Sequence, residues 1–314
     1  MKNLILLITF LLPYINFAQE IIVDEYLQKI NLQDYKLKGK VEKIISTAID
    51  KNGKTTTLPF LENEFYNQIT LEFNKKGQLT KRINYLDYSG KLAIYSYTEN
   101  NYDNKNRINQ QKTTVINNGE DPLRIASLKE FYYDNKNRIL TIKEELKGKS
   151  STSTYQTDFI YNNQLNEIIT KHNNEVISKN VLLYNKNGDV NKNEVISVNG
   201  KKGLRKYYIY DKEIPIFLEE NNNGKKQITF ITIEDTTSTY QQFDQNQNLQ
   251  FELVKDKNNQ IISAKKQSFN QGKSILNSYH LTYDLDLFGN WTYCNIFKNN
   301  ELNYQIKREI IYYK

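Results

Sequence analysis

Apolar and polar residues alternate through most of this chain, and the alternation breaks at recurring turns. Ile69, Leu71 and Phe73 alternate with Thr70 and Glu72. Beyond a short polar break, Leu79, Ile83 and Tyr85 alternate with Thr80, Arg82 and Asn84. A period of two puts the apolar set on one face of a strand and the polar set on the other. The break itself has a form that returns. Tyr102 to Ile108 and Tyr133 to Ile139 are one heptapeptide written twice, Tyr-Asp-Asn-Lys-Asn-Arg-Ile.

That unit has a physical reading. Asp103 accepts hydrogen bonds from the backbone two residues on and starts a turn. Asn106 falls at the left-handed position of a hairpin built as a type I turn plus one left-handed residue, which Gly and Asn tolerate best. Tyr102 and Ile108 then face each other on adjacent antiparallel strands. The template is a large apolar residue, Asp or Asn, two polar residues, Gly or Asn, any residue, and an apolar residue.

Phe73 to Leu79 and Tyr184 to Val190 fit it fully. Ile49 to Gly53 fits but ends on Thr55, and Phe243 to Leu249 carries Gln247 at the left-handed position. Lys255 to Ile261 departs at its first residue, and Leu285 to Trp291 is the last copy. Tyr161 to Leu165 and Tyr210-Asp211-Lys212 are degenerate copies. Shorter turns at Ser89-Gly90, Asn173-Asn174 and Asn299-Asn300 lie between them. A reversal every ~10–18 residues predicts an antiparallel meander.

The expected fold is therefore all-β: an elongated meander of tandem hairpins in a single curved or coiled sheet, each hairpin contacting mainly its neighbours. Around Tyr133 both faces carry large residues, with Phe131, Tyr133 and Ile139 on one and Tyr132, Leu140 and Ile142 on the other. A sheet partly covered on its second side explains that. The final strand, Tyr304 to Tyr313, alternates and closes the sheet.

Residues 1–18 read as a secretory signal peptide, with Lys2, an apolar core from Leu4 to Leu12 and cleavage after Ala18. Residues 19–314 read as one domain, with a lead-in over 19–38 and the repeat array over 39–314. In the lead-in, Val23, Leu27 and Ile30 have helical spacing and Asp24 can cap, so a short helix and an irregular segment both remain open. Thr57 to Asn63 reads as a longer loop suited to projecting a binding feature. Glu120-Asp121-Pro122 reads as a second loop, Ser150 to Thr154 as a loop or a Thr-rich strand start, and Pro215 as marking an edge or bulge. No later stretch is apolar enough to form a membrane-crossing helix, and no Cys follows the apolar core, so the expectation is a soluble exported protein without a lipid anchor or membrane span.

Composition sharpens the picture. Hydrophobic residues make up 38% of the 314, and Tyr is abundant at 24 copies. Tyr favours strands and tolerates a half-wet surface, which suits a thin structure better than a thick core. The net charge of +7 is mild and no long basic run appears, so no nucleic-acid partner is expected. Clustering of charge across strands is not visible in a sequence.

The tyrosine-aspartate turns resemble the YD repeats of Rhs-type proteins over residues 38 to 313. Short exported YD-repeat-like proteins common in Bacteroidota are similar in three further stretches: Leu37-Lys38-Gly39-Lys40-Val41, Asp286-Leu287-Phe288-Gly289-Asn290-Trp291 and Arg308 to Tyr313. Large Rhs proteins build a β-sheet shell around a toxin domain, which this chain lacks. The resemblance implies fold and export, and supplies no catalytic residue.

Candidate chemistry is sparse. His172 and His280 are far apart and have no partner at metal-ligand spacing, and Cys294, the single cysteine, reads as a buried small residue. A Cys294–His280 pair across neighbouring strands lacks an orienting third group. Asp50 to Gly53 is similar to the start of a calcium loop without its later acidic ligand. Glu144-Glu145 and Glu219-Glu220 are adjacent and point to opposite faces. No catalytic, cofactor or metal residue is assigned, and no cofactor is implied. The expected function is a non-enzymatic envelope scaffold for a glycan, peptide or protein. The alternatives are a shell or accessory of a secreted-effector system, and a hydrolase whose carboxylates converge across strands.

Overall fold

The structure is a computed structural model and describes residues 29–58, 65–117, 121–148, 150–197, 202–211, 214–222, 225–258, 260–270 and 273–314. The expected signal peptide, the helical spacing up to Leu27 and most of the Thr57–Asn63 loop lie outside the described residues, which contain strands and turns and no helix. The first ten strands are β1 (Val41–Asp50), β2 (Gln68–Phe73), β3 (Leu79–Tyr88), β4 (Lys91–Tyr102), β5 (Ile108–Asn117), β6 (Asp121–Tyr133), β7 (Ile139–Lys147), β8 (Thr152–Asn162), β9 (Gln164–His172) and β10 (Glu175–Tyr184). The second ten are β11 (Val190–Ser197), β12 (Lys202–Asp211), β13 (Ile214–Asn222), β14 (Lys225–Ile233), β15 (Thr237–Phe243), β16 (Leu249–Asp256), β17 (Ile261–Asn270), β18 (Lys273–Leu285), β19 (Trp291–Lys298) and β20 (Glu301–Tyr312).

From β2 onward each strand pairs antiparallel with the next. β1 pairs with both β2 and β20: Ile44 faces Leu71 and Ile310, and Ser46 faces Ile69 and Arg308. The sheet therefore closes into a 20-stranded antiparallel barrel. This corrects the expected elongated, open or coiled meander. Tandem hairpins specify pairing between neighbours and leave two free edges. Unpaired edges leave backbone groups without partners, and mutual pairing of β1 and β20 removes both.

The turns follow the template. Asn106, Asn137, Gly77, Gly188, Gly53, Gly289 and Gln247 all take positive φ, between 64° and 89°. Asp103 Oδ1 accepts the backbone N–H groups of Lys105 and Arg107, both at 2.9 Å. Tyr102 faces Ile108 and Tyr133 faces Ile139, each pair preceded by a bulge in the register. Tyrosine-led copies are also tied to the strand before. Tyr133 donates its hydroxyl to the Ile108 carbonyl at 2.7 Å, and Tyr102 donates to that of Leu79 at 2.8 Å. The Arg107 guanidinium lies 4.3 Å over the Tyr133 ring, and that of Arg138 lies 4.1 Å over Tyr161.

The bulges decide which side chains face inward. The buried apolar clusters share one face of the strands, and covered side chains belong on the concave, inner face. Ile142 lies there opposite Phe131, not beside Tyr132 and Leu140 as the plain alternation predicts. The extra residue, Leu140, shifts every later side chain by one face. The same slip after Leu79 turns Ile83 and Tyr85 outward and brings Arg82 and Asn84 inward beside Leu71 and Ile69. The inner wall of β3–β5 is consequently polar. Asn84 donates to Ser96 Oγ at 2.9 Å, Gln111 donates to Asn100 Oδ1 at 3.1 Å, and the Thr98 and Thr113 hydroxyls pair at 2.9 Å.

Two prolines follow the same logic. Pro122 lies within β6 rather than in a loop. It sits at a register irregularity between Val115↔Ile125 and Asn117↔Asp121, beyond the last β7 partner, so no ladder hydrogen bond is required of it. Pro215 sits at a bulge between β12 and β13, as expected. Ser150 to Thr154 resolves into the start of β8 at Thr152.

Candidate functional site

The turns that follow even-numbered strands gather at one end of the barrel, and residues 29–38 lie across that mouth. Their backbone is held locally. Asp34 Oδ2 accepts the N–H groups of Ile30 and Asn31 at 2.7 and 2.9 Å. It is then tied to the ring at two places. Leu32 N–H donates to the Gly77 carbonyl and Leu79 N–H to that of Ile30, at 2.9 and 2.7 Å. At the far end of the segment, Lys38 N–H donates to Asn290 Oδ1, and Asn290 Nδ2 donates back to the Lys38 carbonyl, both at 2.8 Å. Ile30 packs against one inner cluster, and Leu32, Tyr35 and Leu37 pack against another.

Cations collect around this plug. Lys29, Lys36 and Lys255 come within electrostatic reach of one another, with Asp256 the acidic group acting on Lys36. Burial and then the neighbouring lysines hold the Lys36 and Lys255 ammonium groups below their ordinary range. Lys255 Nζ lies 4.8 Å over the Tyr240 ring. Around the rim, Lys75, Lys76, Lys105, Lys136, Lys186 and Lys257 are all exposed at turn tips. Successive tips are two strands apart, about 10 Å; the β8–β9 tip at Asn163 carries no lysine, and the β14–β15 tip carries exposed Glu234 and Asp235. Two of the turn aspartates are paired with cations of their own turns, Asp103 with Arg107 and Asp134 with Arg138. Arg107 N–H, together with the Arg107 guanidinium, holds the Asp103 carboxyl below the usual range. A polar groove of about 460 Å³ opens between the first two of these turns, lined by Lys75, Lys76, Gln78, Asn100 and Asp103 among others.

One tip differs from its neighbours. In the β18–β19 turn, Leu287 is fully exposed at 103% and Phe288 is exposed at 53%. Phe288 is braced by Tyr312, with ring centroids 4.4 Å apart, and Tyr312 bonds both Asp286 and Asn290. A Cβ on Gly289 would lie 3.2 Å from Lys38 Nζ, so the ammonium runs directly beside this tip.

The residues weighed in the sequence sit elsewhere. His172 stacks on Tyr155 at 4.6 Å at the end of β9. His280 faces Phe297 on the outer wall, whereas Cys294 faces Tyr283 and Ile306 on the inner wall. The two lie on opposite faces, so the structure excludes a Cys294–His280 pair. Burial pushes the Cys294 thiol up to about 12. Asp50 Oδ1 accepts the N–H groups of Asn52 and Lys54 at 2.8 and 2.9 Å, which accounts for Asp50 to Gly53 as a turn. Glu144 faces Lys129 while Glu145 faces Thr154 from the other side of β7. Among the described residues, no three His, Cys, Asp or Glu side chains gather as a metal-binding group.

The sequence reading missed the mouth, although two departures from the template mark it. Lys255 stands where other copies have a large apolar residue, and Leu287-Phe288 stand where other copies have two polar residues.

No protein-family profile matches the chain, and no curated protein sequence matches it. Among solved structures, a porin-like protein from Bacteroides uniformis is 12% identical, with a TM-score of 0.35 over 64% of this chain and 95% of that one. A chain of the TcdB2-TccC3-Cdc42 structure is 12% identical, with a TM-score of 0.25 over 76% of this chain and 19% of that one. A chain of the Photorhabdus luminescens Tc holotoxin pore is 12% identical, with a TM-score of 0.25 over 80% of this chain and 19% of that one. This chain thus spans about a fifth of the length of the toxin chains. The closed ring is also not the YD-repeat scaffold that the resemblance implied.

Proposed function

We propose that this chain is an exported, non-enzymatic β-barrel of the cell envelope, and that it binds an acidic partner at its plugged, lysine-lined mouth. The observation that carries the reading is the set of exposed lysines on turn tips around the plugged mouth, with Asp103 and Asp134 paired to arginines of their own turns. Acidic glycans and acidic peptides are the partner classes this charge suits. Export rests on the apolar leader over 1–18.

No helix among the described residues is long and apolar enough to cross a membrane, but a closed barrel can cross with strands, so the expected absence of a span does not follow from that. The outer wall supports a water-bathed barrel. Cross-strand ion pairs sit on it, Lys179–Glu167 and Lys265–Glu252 at mid-strand and Lys43–Glu72 and Lys81–Glu99 nearer the plugged end, at 2.7–3.4 Å. A lipid-facing wall carries an apolar band about 25 Å tall, within which such charges are strongly unfavourable. The shell reading is weaker, since the inner wall is lined by packed apolar clusters.

The test is equilibrium titration with acidic and neutral glycans and peptides, with the ligands recovered afterwards. The reading predicts saturable binding of acidic members, weakened in Lys36→Gln/Lys255→Gln, with ligand recovered intact. Ligand turnover, or binding of neutral members alone, contradicts it.

A further inference from the structure

The mouth carries a second chemistry beside its charge. At the β18–β19 turn the two template positions that are polar in the other copies hold Leu287 and Phe288, and both side chains project into solvent. A turn tip has no folding requirement for large apolar residues. Their exposure carries an unfavourable hydration cost that nothing within the molecule removes. The tip is also rigid. Asp286 Oδ1 accepts the Phe288 and Asn290 N–H groups, both at 2.9 Å, and the Phe288 ring rests on Tyr312. Lys38 lies against the tip, and the neighbouring tips carry exposed Lys257 on one side and Lys75 and Lys76 on the other.

We propose that this end of the barrel docks on an anionic phospholipid bilayer, with Leu287 and Phe288 entering the headgroup–acyl boundary and the lysine rim lying on the anionic headgroups. Two independent features fit this end of the barrel to a membrane surface in addition to a soluble acidic partner. The tips of a closed barrel lie in a ring, so the lysine-bearing tips meet a flat surface together, whereas a linear polymer meets only some of them. Apolar side chains flanked by cations are what interfacial association requires, with buried apolar area adding to attraction by anionic lipid. The ion-paired outer wall stays in water, so the barrel stands end-on and does not span. The inference takes from the functional reading only that the chain reaches the envelope. It holds or fails independently of any acidic glycan or peptide.

The experiment is co-sedimentation of the protein, purified after export, with vesicles of phosphatidylglycerol in phosphatidylcholine and with vesicles of phosphatidylcholine alone. Binding to the anionic vesicles is expected to weaken as salt shortens the range of the charge interaction. Leu287→Ser/Phe288→Ser should reduce partitioning by about tenfold or more, because two apolar side chains no longer leave water. Lys75→Gln/Lys76→Gln should reduce it by about tenfold at low salt. Lys179→Gln on the outer wall should leave it unchanged. Unchanged melting temperatures keep these comparisons interpretable, and the substituted tips are exposed. Equal binding to phosphatidylcholine vesicles, or full binding by the Leu287→Ser/Phe288→Ser variant, overturns the proposal. Single-stranded DNA binding that persists in that variant, with no vesicle binding by the native protein, overturns it in favour of a soluble polyanion.

Discussion

Tyr133 shows how one residue carries three duties of the repeat. Its ring packs against the inner cluster, its face meets Arg107, and its hydroxyl satisfies the Ile108 carbonyl of the preceding copy. Burial pushes the phenol up to about 12, so it remains a neutral donor at physiological pH. Tyr133→Phe should cost about 1 kcal/mol in the unfolding free energy, the net worth of one such hydrogen bond. Tyr132→Phe should change stability by less than about 0.5 kcal/mol, because its exposed hydroxyl bonds only Glu130 on the outer wall. Denaturant midpoints of the two variants separate these outcomes. The turn aspartates set the acid limit. Asp50, Asp103 and Asp244 lie below the ordinary value of 3.8, each chiefly through a backbone N–H, from Lys54, Arg107 and Asn248 respectively. A depressed folded-state value means that their stabilisation is complete above about 3.8 and is lost as pH falls through the lower folded values. Melting temperature should therefore be flat with respect to these groups near neutrality and fall below about pH 4. A loss already present at pH 6 would show that other groups govern.

At the scale of the element, the hairpin was legible and the strand faces were not. Asp103, Asn106 and the Tyr102–Ile108 pairing follow from turn chemistry within seven residues, and the structure places them as that chemistry requires. The bulge that accompanies each turn was not read, and one extra residue reverses a strand. That is why Ile83 and Tyr85 face outward while Asn84 is buried, and why Ile142 rejoins Phe131. The plug offers the sharpest test at this scale. Gly77 has a φ of 78°, and a Cβ there would lie 3.0 Å from Leu32 Cδ1. Gly77→Ala should cost about 1–2 kcal/mol from the left-handed backbone alone. It should also raise amide exchange at Leu32 and Leu37, whose N–H groups donate to the Gly77 and Leu32 carbonyls. Native exchange at both amides would show that residues 29–38 are not held through Gly77.

For the whole molecule, closure was beyond local reasoning. Ser46 and Arg308 are separated by most of the chain, and nothing in either strand's own pattern names the other as partner. The site was partly legible. A repeat makes its exceptions informative, and Lys255 and Leu287-Phe288 are exceptions at the mouth. The charge of that mouth was not legible, since its lysines come from turns far apart in sequence and meet only once the ring closes. Barrel, plugged mouth and docking face all depend on β1 lying between β2 and β20. The direct measurement introduces Thr47→Cys and Lys307→Cys, which face each other across the β1–β20 seam. Directly opposed residues of antiparallel strands lie within disulfide range, and buried Cys294 does not compete. Oxidation of the folded protein followed by peptide mass spectrometry should recover a disulfide joining residues 47 and 307. Two free, alkylatable thiols at these positions in the folded protein would mean that the sheet is open.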